Sequence, residues 1–127
     1  MPNFLIDTHV FIWSLDNPAK ISPEALDVIK DASNNIYVSA AVTWEITIKR
    51  SKGALDFIGD IVQQLYAQSF LPLSITHQHA SALEQLPPIH NDPFDRIIIA
   101  QAIVESMVLV TRDKTIAKYP DIKLLRA

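Results

Sequence analysis

The chain has 127 residues, of which 49% are hydrophobic, and it carries a formal net charge of −3. This length and hydrophobic fraction predict a single domain, residues 1–127, that buries a substantial core. The acidic balance argues against a protein that coats nucleic acid through a basic face, unless bound cations neutralise the acids.

Rare and missing residue types exclude several kinds of site. Cysteine is absent, which excludes disulfides and thiolate metal sites. The two glycines, Gly53 and Gly59, are too few for the glycine-rich phosphate loops of nucleotide-binding proteins. No serine stands in a GxSxG elbow, so an α/β-hydrolase is not expected. The sequence begins without a leader-like pattern, and no apolar run reaches the roughly 18 residues of a membrane span. We therefore expect a soluble cytoplasmic protein.

The first half of the chain alternates apolar runs with helical patterns. FLI (4–6) predicts a buried strand, and THVFIWSL predicts a helix that ends at the turn Asp16-Asn17-Pro18. Ser22-Pro23-Glu24 has the N-cap, proline and early acid of a helix start. NIYVSA (35–40) predicts a second strand, which leads into AVTWEITIKRSKG, a helix that Gly53 should end.

The second half continues the alternation. DFIGDIVQQLYAQS (56–69) predicts an amphipathic helix, LPLSIT a third strand, and HQHASALEQL a short helix. DPFDRIIIAQAIVES predicts a long helix, MVLVT a fourth strand, KTIAKYP a helical turn and IKLLR a last strand. This order predicts an α/β fold, a three-layer α/β/α sandwich around a mostly parallel, short-stranded sheet.

Four acidic residues from distant parts of the chain are expected at one rim of this sheet. They follow predicted strands or occupy the first turns of the helices beside them: Asp7, Glu45, Asp95 and Asp113. Ligands of parallel sheets bind beyond the carboxyl ends of the strands. Four carboxylates at close range repel one another unless a cation lies between them. The set favours Mg²⁺ or Mn²⁺ and suits phosphodiester hydrolysis, in which a bound cation lowers the pKa of the attacking water.

Each acid also has a local interpretation. Asp7 and Asp113 can cap the helical segments that follow them, and Asp92 with Asp95 has the pattern of an N-cap and capping box. This pattern favours Asp92 as the cap of the long helix. Glu45 interrupts an apolar stretch with no evident cation partner, so we interpret it as a ligand.

The histidines leave a second kind of metal site open. His9 and His90 lie close in sequence to candidate acids, which allows a histidine-containing zinc or iron site, although no HExxH pattern exists. Whether Asp92 or His90 touches the site stays open. His77 and His79 are predicted to lie on the surface.

Basic residues accompany the acids. Next to the candidate ligands in sequence are Lys49, Arg96, Arg112 and Lys114. We expect such residues to hold the phosphates on either side of a scissile bond, which positions a nucleic acid without reading its bases. The alternative is that they are ordinary solvated surface charges.

Four motifs occur in order along nearly the whole chain: LIDTH, WEITIK followed by Gly53, DPFDRIIIAQA, and LVTRDKTIAKY. As a set they resemble the PIN domain, and within it the VapC-type toxins of bacterial toxin–antitoxin pairs. The resemblance implies a metal-dependent endoribonuclease with Mg²⁺ or Mn²⁺ bound by an acidic quartet, which here matches Asp7, Glu45, Asp95 and Asp113. Thr111 matches the small hydroxyl residue that supports such a site.

The resemblance also implies partners. It implies an RNA substrate, a homodimer and a small cognate antitoxin, with DNA contacted only through the antitoxin. Trp13, Trp44 and Phe94 are candidate apolar contacts for the antitoxin's tail, or else core aromatics.

Two other functions fit parts of the pattern. The protein could have the same PIN-like fold without being an enzyme, and could act as a module that binds and regulates a partner. A phospho-receiver domain has similar size and acidity, but it needs paired acids beside the first strand and an acid after the third. LID supplies one acid and LPLSIT ends without one, so this alternative is disfavoured.

Overall fold

One sheet of five parallel strands forms the centre of the protein in a computed structural model, which describes residues 2–127. Its spatial order is β3-β2-β1-β4-β5, and every neighbouring pair runs parallel. The strands are β1 (Asn3–Ile6), β2 (Asn35–Ser39), β3 (Leu71–Leu73), β4 (Val108–Thr111) and β5 (Lys123–Arg126). The predicted short-stranded parallel sheet is confirmed. A receiver-type sheet has the order 2-1-3-4-5, so the phospho-receiver hypothesis is wrong.

In the described part of the chain, six α-helices connect and cover these strands. They are α1 (Thr8–Asp16), α2 (Pro23–Lys30), α3 (Ala40–Ser51), α4 (Ile61–Ala67), α5 (His77–Ala82) and α6 (Pro93–Val104). Short 3₁₀ turns occupy Pro18–Lys20, Leu83–Gln85 and Ile116–Lys118. Within residues 2–127, no helix is both long and apolar enough to cross a membrane.

The core lies on both faces of the two central strands. Consecutive residues of β1 and β4, among them Leu5, Ile6, Leu109 and Val110, are fully buried. Successive strand residues point to opposite faces, so both faces of the sheet centre are covered. This is the predicted three-layer sandwich.

One predicted helix begins later than its sequence pattern indicates. The pattern starts at Asp56, but α4 begins at Ile61. Gly59 has a φ of +93°, and the Asp60 side chain accepts a hydrogen bond from the Gln63 N–H at 3.0 Å, which is an N-cap. Arg50 donates to the carbonyls of Phe57 and Gly59 and so holds the segment before α4 outside the helix.

Candidate active site

Two neighbouring strands place Asp7 and Thr111 against each other. Ile6 of β1 pairs with Val110 of β4, and the Asp7 N–H donates to the Val110 carbonyl at 3.3 Å. The Thr111 hydroxyl donates to Asp7 Oδ2, while Asp7 Oδ1 accepts from the Val10 N–H at 3.0 Å. Both side chains are buried. Asp7 therefore caps α1 and faces the carboxyl edge of the sheet at the same time.

Glu45 is buried on α3 and has two partners. Its Oε1 accepts a hydrogen bond from the Thr8 hydroxyl at 2.6 Å, and its Oε2 lies 2.5 Å from Lys49 Nζ, one helical turn away. The absence of a cation partner, inferred from the sequence, is therefore wrong, because positions i and i+4 meet on one helix face. The hydrogen bond to Glu45 raises the pKa of Lys49, so this cation stays charged. The contact from Thr8 was not foreseen.

Asp95, Asp113 and His90 form the exposed part of the acidic cluster. His90 Nε2 lies 2.8 Å from Asp113 Oδ2 and 3.2 Å from Asp95 Oδ2. The contact of His90 with the site, which the sequence left open, is thus present in the structure. One ligand atom from each of these three residues lies within 4.8 Å of the other two. A cavity of about 300 Å³ opens in front of the cluster and is lined by Asp7, His9, Trp13, Asp95, Arg112 and Asp113.

The capping interpretation of Asp92 is correct, but the capping box is not formed. Asp92 Oδ1 accepts from the N–H groups of Phe94 and Asp95 at 2.8 and 3.4 Å, which is an N-cap for α6. A capping box would return the Asp92 N–H to the Asp95 side chain. This N–H donates instead to His90 Nδ1 at 3.0 Å, which leaves the Asp95 carboxylate free to point at the cluster.

Burial and mutual repulsion perturb the acids. Burial raises the pKa of Asp7, against the opposing hydrogen bonds from Thr111 and Val10. Burial, followed by the charge of Asp92, raises the pKa of Asp95 to about 7. Burial also acts to raise the pKa of Asp113, but hydrogen bonds from His90 and the Thr115 N–H outweigh it and lower that pKa.

These electrostatics fit a divalent cation. Two carboxyl groups that resist ionisation lie beside an open cavity, and a bound cation would relieve both their desolvation and their repulsion. Carboxylate oxygens are the donors that Mg²⁺ and Mn²⁺ prefer. The residues present can therefore hold such an ion.

The four basic residues predicted to bind RNA differ in position. The Arg112 guanidinium lines the cavity and stacks 4.8 Å from the centre of the Trp13 ring, held by the Ala127 and Lys20 carbonyls. Lys114 is exposed one residue beyond Asp113. Lys49 is paired with Glu45.

Arg96 makes several contacts within the protein. Its guanidinium donates to the Pro87 and Leu83 carbonyls and to the Tyr119 hydroxyl, at 3.1, 3.4 and 3.3 Å. These contacts tie α6 to the loop before it, and the predicted RNA contact of Arg96 stays a prediction.

His79 contradicts the surface prediction. It is fully buried on α5, where its Nδ1 accepts from the Thr76 N–H at 3.1 Å and its Nε2 lies 2.7 Å from Glu105 Oε2. The partner Glu105 is 26 residues away, so the burial of His79 could not be predicted from the neighbouring sequence HQH.

The three aromatic residues flank the acids on two sides. Trp13 lies on the cavity side, half-buried. Trp44 is 56% exposed and meets Phe94 edge to face at 4.9 Å between ring centres. Trp44 is thus a surface aromatic, and it also lines an apolar cavity of about 440 Å³ between α3, α4 and β3.

Comparison with known proteins agrees with this fold. The family model of the PIN domain matches residues 4–122. A curated relative, Ribonuclease VapC22 of Mycobacterium tuberculosis, is 28% identical over 123 residues, which cover 94% of this chain and 93% of the relative.

Solved structures with this fold include toxin–antitoxin complexes. VapBC2 from Rickettsia felis, bound to a DNA fragment from its promoter, has a TM-score of 0.70 at 15% identity, over 98% of both chains. A toxin–antitoxin complex from Klebsiella pneumoniae has a TM-score of 0.58 at 24% identity, over 93% of both chains. With a family model that covers nearly all of its length and a sheet that places four acids at one edge, the chain belongs to the PIN domain family.

Proposed function

We propose that the protein is a metal-dependent endoribonuclease that acts as the toxin of a toxin–antitoxin pair. The observation that carries the proposal is that four carboxylates from distant parts of the chain lie at one site. Asp7 follows β1, Glu45 lies on α3, Asp95 lies on α6, and Asp113 follows β4. Three of them line one open cavity, and the fourth contributes its charge to the environment of Asp95. The similarity to a protein named Ribonuclease VapC22 supports RNA as the substrate.

The acids divide into an anchored and an accessible pair. Asp7 and Glu45 are buried and held by the hydroxyl groups of Thr111 and Thr8, so their oxygens are fixed before any ligand arrives. Asp95 and Asp113 keep part of their side chains exposed at the cavity mouth, 20% and 34% respectively. When bound, Mg²⁺ or Mn²⁺ would supply charge neutralisation at phosphate and a more acidic water. The acids hold the ion, and Thr111 supports Asp7.

The cavity wall offers a place for the RNA backbone. Arg112 is anchored by two backbone carbonyls, so its charge stands at a fixed distance from the acids. Lys114 adds an exposed positive charge next to Asp113. Contacts of this kind hold phosphates and carry no base specificity by themselves. Trp13 beside Arg112 offers an aromatic face against which an unpaired base can stack.

A cleavage assay with matched variants tests the proposal. Purified protein should cleave single-stranded RNA with Mg²⁺ or Mn²⁺ and stop when EDTA is added. Asp7→Asn and Asp95→Asn should each reduce the rate at least about 100-fold, because each removes a charge that holds the ion. Asp27→Asn removes an exposed acid of α2 and should leave the rate unchanged. Equal rates for all four proteins would refute the assigned site.

We further propose that the chain forms a homodimer and binds a small cognate antitoxin, and that it meets DNA only through that antitoxin. The similar structures, VapBC2 from Rickettsia felis bound to DNA and a toxin–antitoxin complex from Klebsiella pneumoniae, support the antitoxin part of this proposal. Among residues 2–127, six of the seven large exposed apolar side chains lie on α3, α4, β3 or the loops beside them, and Leu124 is the exception. This concentration favours a protein partner on that side.

We also propose that residues 1–127 unfold as a single domain.

Copurification with the product of an adjacent small gene tests the pairing. Tyr66→Ala removes an exposed ring from the 440 Å³ cavity and should weaken antitoxin binding at least about 10-fold while RNA cleavage persists. Leu124→Ala, a comparable truncation on β5 at the opposite edge of the sheet, is the control. If acid-to-Asn variants remain toxic when expressed, a non-catalytic binding module explains the protein better.

A further inference from the structure

His90 has a contact at each ring nitrogen. Its Nδ1 accepts a hydrogen bond from the backbone N–H of Asp92 at 3.0 Å. Its Nε2 lies 2.8 Å from Asp113 Oδ2 and 3.2 Å from Asp95 Oδ2. The backbone of His90 is also fixed, because its own N–H donates to the Tyr119 hydroxyl at 2.8 Å.

These contacts define where the ring proton lies. A backbone N–H is always a donor, so Nδ1 must offer a lone pair to Asp92 and cannot carry a proton. The single proton of the neutral ring is then on Nε2, which donates it to Asp113 Oδ2. Rotating the ring by 180° would place carbon atoms at both contacts and lose every one of these hydrogen bonds.

A histidine that binds a metal has the opposite arrangement. Its ligating nitrogen presents a lone pair to the ion, and its other nitrogen carries a proton that it donates to a carboxylate or carbonyl. For His90 Nε2 to bind a metal, the proton would have to move to Nδ1, directly against the Asp92 N–H. That rearrangement would break the hydrogen bond and leave two donors facing each other about 3 Å apart.

We infer that His90 is a positioning residue and not a metal ligand: the Asp92 backbone locks its Nε2–H tautomer, and this N–H donates to Asp113 and so holds that carboxylate beside Asp95. The inference deepens the proposed function and rests on it for the role of the two acids. His90 extends a pattern in which a neighbouring side chain donates a hydrogen bond to an acid of the site. The donors are Thr111 for Asp7, Thr8 for Glu45, and His90 for Asp113, while Asp95 Oδ2 lies 3.2 Å from the same ring nitrogen of His90.

The tautomer lock also bears on the class of ion. With His90 excluded as a ligand, the two other members of its cluster, Asp95 and Asp113, offer carboxylate oxygens only. Such donors suit hard cations such as Mg²⁺ and Mn²⁺. This disfavours His90 as the imidazole ligand of the zinc or iron site that the sequence left open.

Ring-nitrogen NMR of the full-length protein, labelled with ¹⁵N-histidine, tests the tautomer without any RNA. We expect the His90 spectrum to show a protonated Nε2 and an unprotonated Nδ1, both before and after saturation with Mg²⁺. A proton on Nδ1, or loss of the Nε2 proton when Mg²⁺ binds, overturns the inference. Electron spin-echo spectroscopy with Mn²⁺ alone provides an independent check, because a directly bound imidazole couples its nitrogen to the ion. That coupling should be absent, and its presence also overturns the inference.

Two variants separate positioning from ligation. His90→Gln can place an amide N–H near the position of Nε2, whereas His90→Asn keeps an acceptor for Asp92 and loses the donor to the acids. We expect Mn²⁺ affinity to fall about 10- to 100-fold in His90→Asn and to recover to within about 3-fold of the parent in His90→Gln. Equal losses in two variants that remain folded would contradict the role of the donor. Failure to cleave RNA, with the tautomer and Mn²⁺ binding as described, would count against the proposed function and not against this inference.

Discussion

Replacing Asp95 with Asn should stabilise the metal-free protein above about pH 7 and leave its stability nearly unchanged at about pH 4. Burial, and then the charge of Asp92, raise the pKa of Asp95 to about 7 from its ordinary value of 3.8. Between these two values the folded chain keeps a proton that the unfolded chain releases. The contribution of Asp95 to the free energy of unfolding therefore falls as the pH rises through this interval, and it stays at its lower value above about pH 7. Asn resembles the protonated carboxyl group and removes this loss.

The magnitude follows from the size of the shift. About three pKa units correspond to about 4 kcal/mol at 1.36 kcal/mol per unit. One fifth of the Asp95 side chain is exposed, and screening by solvent reduces the figure. We expect Asp95→Asn to gain about 2 kcal/mol over its parent between about pH 4 and pH 8.

Urea denaturation across this pH range in EDTA measures the effect. Asp27→Asn is the control, because it removes one charge from an exposed position on α2 without entering the acidic cluster. Adding Mg²⁺ should stabilise the parent more at pH 8 than at pH 5, since the cation favours ionised Asp95, and should stabilise Asp95→Asn less. Parallel pH profiles for the parent and Asp95→Asn would refute the assignment of a partly buried carboxyl group with neighbouring negative charges at this position.

Three further substitutions probe contacts that hold the site. Thr8→Val deprives buried Glu45 of its hydroxyl donor and should lower the free energy of unfolding by about 1–3 kcal/mol, measured by urea denaturation; no change would mean that the hydrogen bond is dispensable. Arg96→Met should destabilise the fold by a similar amount while the rate of RNA cleavage per folded molecule stays the same; lost RNA affinity at unchanged stability would support its predicted role in phosphate binding. His79→Phe leaves the Thr76 N–H without its acceptor and should lower the thermal midpoint, whereas an unchanged midpoint would indicate that the buried imidazole contributes only its volume.

Much of the fold could be predicted because its signals are local. Gly53, with a φ of +71°, ends α3 where the pattern places a stop, and Ser22 caps α2 through the Ala25 N–H. The apolar runs that became β1 and β4 are buried on both faces and so needed no alternation to be recognised. The start of α4 was missed because the apolar spacing of Phe57 and Ile58 continues the helical pattern, while the backbone at Gly59 does not.

The candidate site could be predicted only in part. The positions of Asp7 and Asp113 follow from strand ends, and this rule holds for any parallel sheet. The partners of the acids come from tertiary contacts: Thr8 is 37 residues from Glu45, and His90 is 23 residues from Asp113. Lys49 is the exception. Its spacing from Glu45 is the helical i,i+4 spacing, so this ion pair could have been predicted from the sequence.

The segment HNDPFDR is both the start of a helix and part of the site, because the side chain and the backbone N–H of Asp92 make separate contacts. The Asp92 carboxylate caps α6, while the N–H of the same residue fixes the ring of His90. That ring contacts Asp95, five residues along the chain, and Asp113 beyond β4, so the cap of α6 also positions the ring between two carboxylates. The cost of this arrangement falls on Asp95, whose pKa is raised in part by the charge of the cap itself. A cation between Asp95 and Asp113 would remove that cost, and for this reason the segment is better explained as part of a metal site than as a helix start alone.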